Sequence, residues 1–228
     1  FLANIRETDA ILHVLRCYDN DNIVHVDGSV DPLRDKSIID TELQLKDLEV
    51  VEKKIEKVKR IAKTGDKEAS KELEILKNLK LFLESGNSVR NLVDFQDEES
   101  LYIDSLQLIS AKPVLYICNV DENSVIGDNI YVEKVKEAVL SENADVLVLA
   151  VGIEAEINEF DDLNERQMFL QDIGLDEAGS AKLIRTVYKL LNLQTFFTAG
   201  KKEVRAWTVP VGCLAPNAAG VIHSDFEK

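Results

Sequence analysis

The strongest constraint on the fold is a pair of continuous apolar runs, Pro113–Val120 and Asp145–Val151, with a helical pattern over residues 130–140 between them. An unbroken apolar run indicates a strand that is covered on both faces. Strand, helix and strand at this spacing predict parallel strands joined by a crossover helix. A shorter apolar run, Asp9–Cys17, predicts another buried strand. We therefore expect an α/β fold with a parallel sheet, and further helices over residues 101–111 and 178–191.

A long helical pattern interrupts this arrangement after the first strand. From about Asp35 to Lys63, apolar residues recur at spacings of three, four or seven, which predicts a helix about 40 Å long with one apolar stripe. Gly65 suits the left-handed position after a helix, and Asp66 suits the N-cap of a second helix ending near Gly86. The pattern predicts an inserted antiparallel helical hairpin. Its charged residues are typical of a solvated face.

The last part of the chain changes character again. Two alternating segments, Gln194–Gly200 and Glu203–Val209, predict a β-hairpin that opens a small second domain. Aromatic and basic residues on such a face can stack bases and hold phosphates, although a small core with solvated lysines explains the same pattern. The residues concerned are Phe196, Phe197, Trp207, Lys201, Lys202 and Arg205.

Composition narrows the class of protein. The net charge of −15 makes the chain as a whole repel nucleic acid, so any RNA contact requires a local basic patch. The three cysteines are far apart in sequence, which predicts free thiols in a reducing compartment. No apolar stretch approaches the roughly 20 residues of a membrane helix. We interpret the chain as a fragment, because it begins with Phe1 and its only methionine is Met168.

The best site candidate follows the clearest strand, where ligands of parallel sheets bind. In P-loop GTPases the base-reading motif at this place is Asn-Lys-x-Asp, whereas this chain has Asn119, then Val120, and Glu122 in place of the last Asp. Adenine has an acceptor at N1 where guanine has a donor, so the change predicts loss of guanine selectivity. When the four residues are taken alone, an ordinary acidic loop after a strand is the better explanation.

The end of the next strand supplies a second candidate. Ala150, Val151 and Gly152 are small or apolar, and a glycine allows close approach of the backbone to a ligand. An ordinary strand end has the same appearance.

Other polar residues receive no role. Asp161, Asp162 and the acids near Glu154 fit no metal-ligand spacing. We interpret His13 as a partly buried strand residue, and His25 and His223 have no Cys or Asp at triad spacing. No Gly-x-Ser-x-Gly elbow occurs, nor a Gly-x-x-x-x-Gly-Lys-[Ser/Thr] phosphate loop, in the 228 residues. We therefore assign no catalytic residue and no metal ligand.

Several segments together resemble the YchF family of Obg-like ATPases, in order and from end to end. They are Phe1–Ile11, His25–Pro32, Asp40–Leu43, Asn119–Glu122, Tyr188–Gly200, Lys202–Thr208 and Ile222–Lys228. The resemblance implies a P-loop NTPase-type sheet (residues 1–33 and 101–192), a coiled-coil insertion (34–100) and the start of a β-grasp-like TGS domain (193–228).

The resemblance also implies a function. Family members are cytoplasmic ATPases rather than GTPases, use Mg²⁺, and associate with the ribosome, either its large subunit or the whole particle. The base site then falls on Asn119, Val120 and Glu122, with Ala150, Val151 and Gly152 on its other side. The P-loop and Mg²⁺ ligands of the family precede the position of Phe1, so we expect these residues alone to be inactive. The alternative is a non-catalytic ribosome or RNA adaptor, acting through the coiled coil and the TGS hairpin, without membrane contact or DNA specificity.

Overall fold

The computed structural model describes residues 2–92, 97–142 and 144–226. Phe1, Glu227 and Lys228, which belong to the terminal segments of the resemblance, lie outside these ranges. The chain forms two compact units, Phe1–Ala155 and Glu156–Lys228. In the described part, no helix combines the length and the apolarity needed to cross a membrane.

The first unit is built on the predicted parallel sheet. Its strands lie in the order β1 (Ile11–Arg16), β2 (Val114–Asn119) and β3 (Asp145–Leu149), and both neighbouring pairs are parallel. The crossover helix α5 (Ile130–Val139) joins β2 to β3, and a short helix α1 (Leu2–Arg6) precedes β1. The fold class is therefore as predicted: an α/β sheet with a helical insertion after its first strand.

The three strands differ in burial. The first five residues of β2 are buried, as its unbroken apolar run predicts. The prediction of a buried strand is wrong for one face of β1, where Leu12 is 43 % and Val14 57 % exposed. β3 ends two residues earlier than predicted, because Val151 begins helix α6 (Val151–Glu159).

The inserted hairpin consists of α2 (Pro32–Ala62) and α3 (Lys67–Glu84). Helix α2 begins three residues earlier than predicted, because the Asp31 carboxylate accepts hydrogen bonds from two backbone N–H groups of its first turn and Pro32 suits a first helical position. Gly65 adopts φ +89° in the turn, and Asp66 caps α3, as predicted. The two helices share an apolar core of Val51, Val58, Ala69, Leu76, Leu79 and Leu83.

One buried carboxylate ties this hairpin to the sheet. Asp47 of α2 is fully buried, and its two oxygens accept hydrogen bonds from the backbone N–H groups of Ile109 (2.9 Å) and Ser110 (2.6 Å). The prediction of a helix over residues 101–111 is wrong at the C-terminal end, because helix α4 (Asp97–Ser105) ends at Ser105 and a separate 3-10 turn covers Ile109–Ala111. The Asp47 contact therefore anchors the hairpin to the segment that leads directly into β2.

A buried ionic cluster makes a second connection. The Lys36 ammonium donates hydrogen bonds to Asp40 (2.8 Å) and Glu142 (2.5 Å), and the Tyr116 hydroxyl donates to Glu142 (2.8 Å). Burial lowers the pKa of Lys36, but its bonds to the two carboxylates outweigh that effect and raise it above its usual range. The hairpin charge is thus not all solvated, contrary to prediction, because Lys36 and Asp47 carry the contacts between the insertion and the sheet.

Two of the predicted free thiols lie side by side in this sheet. Cys118 lies in β2 and Cys17 follows β1 directly. Both are fully buried, and neither forms a disulfide. The Cys17 thiol donates a hydrogen bond to the Cys118 sulfur, and this bond together with burial raises the pKa of Cys17. Cys213 is only partly buried.

The second unit contains the predicted β-hairpin, formed by antiparallel β4 (Leu193–Ala199) and β5 (Val204–Pro210). Helix α8 (Gly179–Leu190) precedes it as predicted, and α9 (Ala215–Ile222) follows. Helix α7 (Leu163–Asp172) was not predicted, although its N-cap was visible in the sequence: the Asp162 carboxylate accepts hydrogen bonds from Asn164 and Glu165.

Candidate functional site

A cavity of about 400 Å³ lies at the carboxyl ends of the three parallel strands. Its volume is within the range of small-molecule sites. The loops after β1, β2 and β3 form its walls because parallel strands bring their carboxyl ends to one edge of the sheet. All six residues predicted to contact a ligand line it: Asn119, Val120, Glu122, Ala150, Val151 and Gly152.

Asn119, the last residue of β2, connects two walls of the cavity. Its side-chain oxygen accepts a hydrogen bond from the backbone N–H of Val151 at 3.1 Å. A backbone N–H can only donate, so this contact fixes which end of the amide is the oxygen. The side-chain nitrogen of Asn119 makes no hydrogen bond within the described ranges. It is therefore free to donate to an acceptor on a ligand.

Glu122 is the carboxylate left available by the loop after β2. That loop forms a 3-10 turn, Glu122–Ser124, and the Asp121 carboxylate caps it by accepting a hydrogen bond from the Ser124 N–H at 2.8 Å. Glu122 itself is exposed. A Cβ atom added to Gly152 would lie 3.6 Å from Glu122 Oε1, so this carboxylate extends over the glycine at the start of α6.

The other predicted residues differ in what they can offer a ligand. Val120 and Ala150 are each only 3 % exposed, so they can contact a ligand only through their backbone atoms. Val151 is 50 % exposed and presents an apolar surface. A flat apolar ring could pack on Val151 and on the bare backbone of Gly152, where no side chain intervenes.

The third wall of the cavity is formed by Tyr18, Asp19 and Asn20, none of which was predicted as a site residue from the sequence. The Arg16 guanidinium holds this loop by donating hydrogen bonds to backbone carbonyl oxygens of Tyr18 (3.1 Å), Asn20 (3.2 Å) and Ile23 (3.0 Å). No role was predicted for this segment from the sequence. Its position directly after β1 was the available signal, because the loop after every parallel strand meets the same edge.

The charges of the lining residues indicate what kind of group the cavity can take. Asp19, Asp121 and Glu122 are acidic, and no Lys or Arg is among the described residues that line it. A negative field at this place repels phosphate. The cavity therefore suits an uncharged ring with hydrogen-bonding edges, and not a triphosphate.

A second polar group lies near the start of α2. His25 has no Asp at triad spacing in the sequence, but in the structure Asp35 Oδ2, in the first turn of α2, lies 3.0 Å from His25 Nε2. Asp27 completes a group whose potential ligand atoms lie within 4.8 Å of one another. Arg34 lies 3.1 Å from Asp35 and 3.6 Å from Asp27 and offsets part of their negative charge. We assign this group no metal and no catalytic role.

In the second unit, aromatic and basic side chains do meet on the β-hairpin. Phe196 and Trp207 are cross-strand partners, and the Arg205 guanidinium lies 4.1 Å from the centre of the Trp207 ring. Phe197 points to the other face and is 72 % exposed. Lys201 and Lys202 are exposed in the turn.

Comparison with known proteins gives consistent matches. Residues 193–228 match a family model described as "YchF-GTPase_C: Protein of unknown function (DUF933)". The chain is 50 % identical over 228 residues to the ribosome-binding ATPase YchF of Escherichia coli O157:H7 and 47 % identical over 230 residues to that of Bacillus subtilis. Each match covers all of this chain and 62 % of the relative.

A solved structure extends the likeness to three dimensions. The structure of the Schizosaccharomyces pombe YchF GTPase superposes with a TM-score of 0.88 at 36 % identity, covering 99 % of this chain and 61 % of that one. The chain thus spans less than two thirds of the length of the relatives it matches. The relatives' names also differ in the nucleotide they imply, ATP or GTP.

Proposed function

Because this chain belongs to the YchF family, we propose that it carries the base-binding part of an Mg²⁺-dependent ATPase. The observation that carries the proposal is the cavity formed by Asn119, Glu122 and the Ala150–Gly152 segment at the carboxyl edge of the sheet. Phosphate and Mg²⁺ binding would depend on residues outside this chain, since its 228 residues contain no phosphate loop. Hydrolysis would then proceed by positioning and electrostatic stabilisation of phosphoryl transfer to water.

The proposed base choice follows from hydrogen-bond chemistry. The free amide nitrogen of Asn119 can donate to N7, which is an acceptor in both adenine and guanine. Discrimination therefore falls to Glu122. A shorter Asp at that position could accept two hydrogen bonds from the Watson–Crick edge of guanine, whereas the longer Glu lies over Gly152 and does not reproduce that geometry.

The test is a competition titration of ATP against GTP, with Mg²⁺, on the complete natural protein. We expect the wild type to prefer ATP, and Glu122→Asp to shift the affinity ratio toward GTP by about tenfold, the value of one good hydrogen bond. Glu137→Asp, the same change at an exposed residue of α5, is the matched control and should leave the ratio unchanged. An unaltered ratio in Glu122→Asp would show that Glu122 does not set base choice.

The second part of the proposal is ribosome binding, which the names of the relatives support. Ribosome binding would mean that the protein acts in the cytoplasm. The four segments of the proposed domain plan (1–33, 34–100, 101–192 and 193–228) would couple the nucleotide state to this partner. The alternative, an adaptor without catalysis, is favoured only by the aromatic and basic surface of the β4–β5 hairpin.

Co-sedimentation with ribosomes separates these possibilities. Replacing Lys201, Lys202 and Arg205 by Ala should reduce binding if the β4–β5 hairpin is the RNA contact. Binding that depends on ATP supports the coupled ATPase. Ribosome binding that changes neither with the nucleotide nor with the three substitutions would contradict both a role for this hairpin and coupling of the nucleotide state to the ribosome.

A further inference from the structure

The far end of the α2–α3 hairpin has a charge opposite to that of the rest of the chain. Residues 53–71 contain eight basic and three acidic residues, a net charge of +5, whereas the whole chain carries −15. The remaining residues therefore carry −20. We call the basic residues the tip cluster: Lys53, Lys54, Lys57, Lys59, Arg60, Lys63, Lys67 and Lys71.

The tip cluster is largely available to an external partner. All of its members except Lys54 are exposed. Among the described residues, its one ion pair within 4.0 Å is Lys59–Glu56 at 3.8 Å, and Lys54 lies 6.0 Å from the centre of the Tyr102 ring. Asp66, the nearest acid in the turn, already accepts a hydrogen bond as the N-cap of α3. Apart from Lys59, therefore, no member of the tip cluster forms an ion pair within 4.0 Å in the described part of the chain.

Helix stability explains only part of this arrangement. Lys59 and Arg60 lie in the last turn of α2, where a positive charge is favourable for the helix dipole. Lys53 and Lys57, and likewise Lys67 and Lys71, are like-charged pairs four residues apart, which destabilise a helix. Lys67 is in the first turn of α3, where a positive charge opposes the helix dipole. An anionic ligand would relieve both costs.

The hairpin also presents these charges well away from its anchor. Asp47 ties α2 to the sheet unit, and Lys63 follows it by 16 residues. At 1.5 Å per residue the tip therefore lies about 24 Å beyond the anchor. Neighbouring cations on one helix face are about 5–6 Å apart. Lys53, Lys57, Arg60 and Lys63 follow one another at spacings of four, three and three residues, so they form a row along one side of α2.

From this geometry we propose that the tip cluster binds the phosphate backbone of structured RNA. A row of cations at fixed spacing fits a polyanion with regularly spaced charges, and such contacts supply affinity without sequence specificity. A membrane surface fits less well, because insertion requires apolar side chains and Ile61, at 52 % exposure, is the only large one exposed among the described residues 57–67. The inference deepens the proposed ribosome binding and rests on it for the choice of RNA.

The experiment measures binding of the complete natural protein to a fluorescent RNA duplex of about 20 base pairs by anisotropy, over a series of KCl concentrations. The tip variant replaces Lys57, Arg60 and Lys63 by Ala, which keeps the helix because Ala has the highest helix propensity. The matched control replaces Lys134, Lys182 and Lys189, three exposed lysines on other helices, and changes the net charge equally. Circular dichroism verifies that both variants fold.

We expect the tip variant to bind RNA at least roughly tenfold more weakly at 0.1 M salt, with a slope of log K against log salt reduced by about 2–3 units. The control should retain the wild-type slope. Equal losses in both variants, or no loss in the tip variant, would overturn the inference. So would a tip variant that keeps RNA binding but loses binding to vesicles containing phosphatidylserine.

Co-sedimentation with ribosomes keeps this result distinct from the proposed function. If the tip variant binds the RNA duplex and ribosomes as the wild type does, the tip inference fails and ribosome binding stands. If even the wild type does not co-sediment, the proposed function fails as well. The ATP and GTP titration is independent of both outcomes.

Discussion

The contact of Asp47 with the 3-10 turn before β2 allows a stability prediction with a magnitude. Asp47→Ala removes the acceptor of two backbone N–H groups, those of Ile109 and Ser110, which are 1 % and 0 % exposed. Water cannot reach either group, so both remain without a hydrogen bond. At about 1–3 kcal/mol for each buried unsatisfied donor, the free energy of unfolding should fall by about 2–6 kcal/mol. That is a large part of the roughly 5–15 kcal/mol that stabilises a typical domain.

Urea unfolding followed by circular dichroism measures this difference. Asp66→Ala is the matched control, because Asp66 also accepts a backbone N–H hydrogen bond in the same hairpin but is exposed. Loss of an exposed N-cap should cost about 1 kcal/mol. If the two substitutions lower the free energy of unfolding equally, burial is not what makes the Asp47 contact strong, and the anchor is misjudged.

Two further predictions concern the sheet. Burial lowers the pKa of His13 below its usual 6.5, so that on acidification the unfolded chain takes up a proton at this residue before the folded chain does. The free energy of unfolding should therefore fall as the pH drops below about 6.5. The decrease should be at most about 1.4 kcal/mol per pH unit and should stop at the pKa of His13 in the folded chain. In His13→Gln, urea midpoints at pH 7.5 and 5.5 should differ less, and an unchanged difference would refute this. The exposed face of β1 should promote aggregation. Val14→Lys should therefore lower light scattering more than Val24→Lys, the same change in a loop, and equal effects would exclude that face.

The elements that the sequence predicted well are those in which one local signal decides the structure. The continuous apolar run of β2 could only be a strand covered on both faces. Gly65 and Asp66 predicted the turn of the helical hairpin, since a left-handed residue and an N-cap are local requirements. The candidate site residues could be named in advance because the carboxyl ends of parallel strands meet at one edge.

Errors arose where a partner distant in sequence decides the outcome. The charge of Asp47 suggested a solvated helix face, but its hydrogen bonds are to residues 62 and 63 positions later. Lys36 is held by Glu142, 106 positions away. The exposure of Leu12 and Val14 likewise depends on what packs over β1, which an apolar strand pattern does not specify.

By itself, then, the sequence determined the parallel sheet, the inserted hairpin and the family, because apolar period, turn residues and motif order are properties of consecutive residues. Only the tertiary structure decided that Asn119 bonds to Val151, that the Tyr18 loop closes the cavity, and that the hairpin is anchored through a buried carboxylate. These contacts join segments that are far apart along the chain. Their geometry exists only once the strands have paired and the helices have packed.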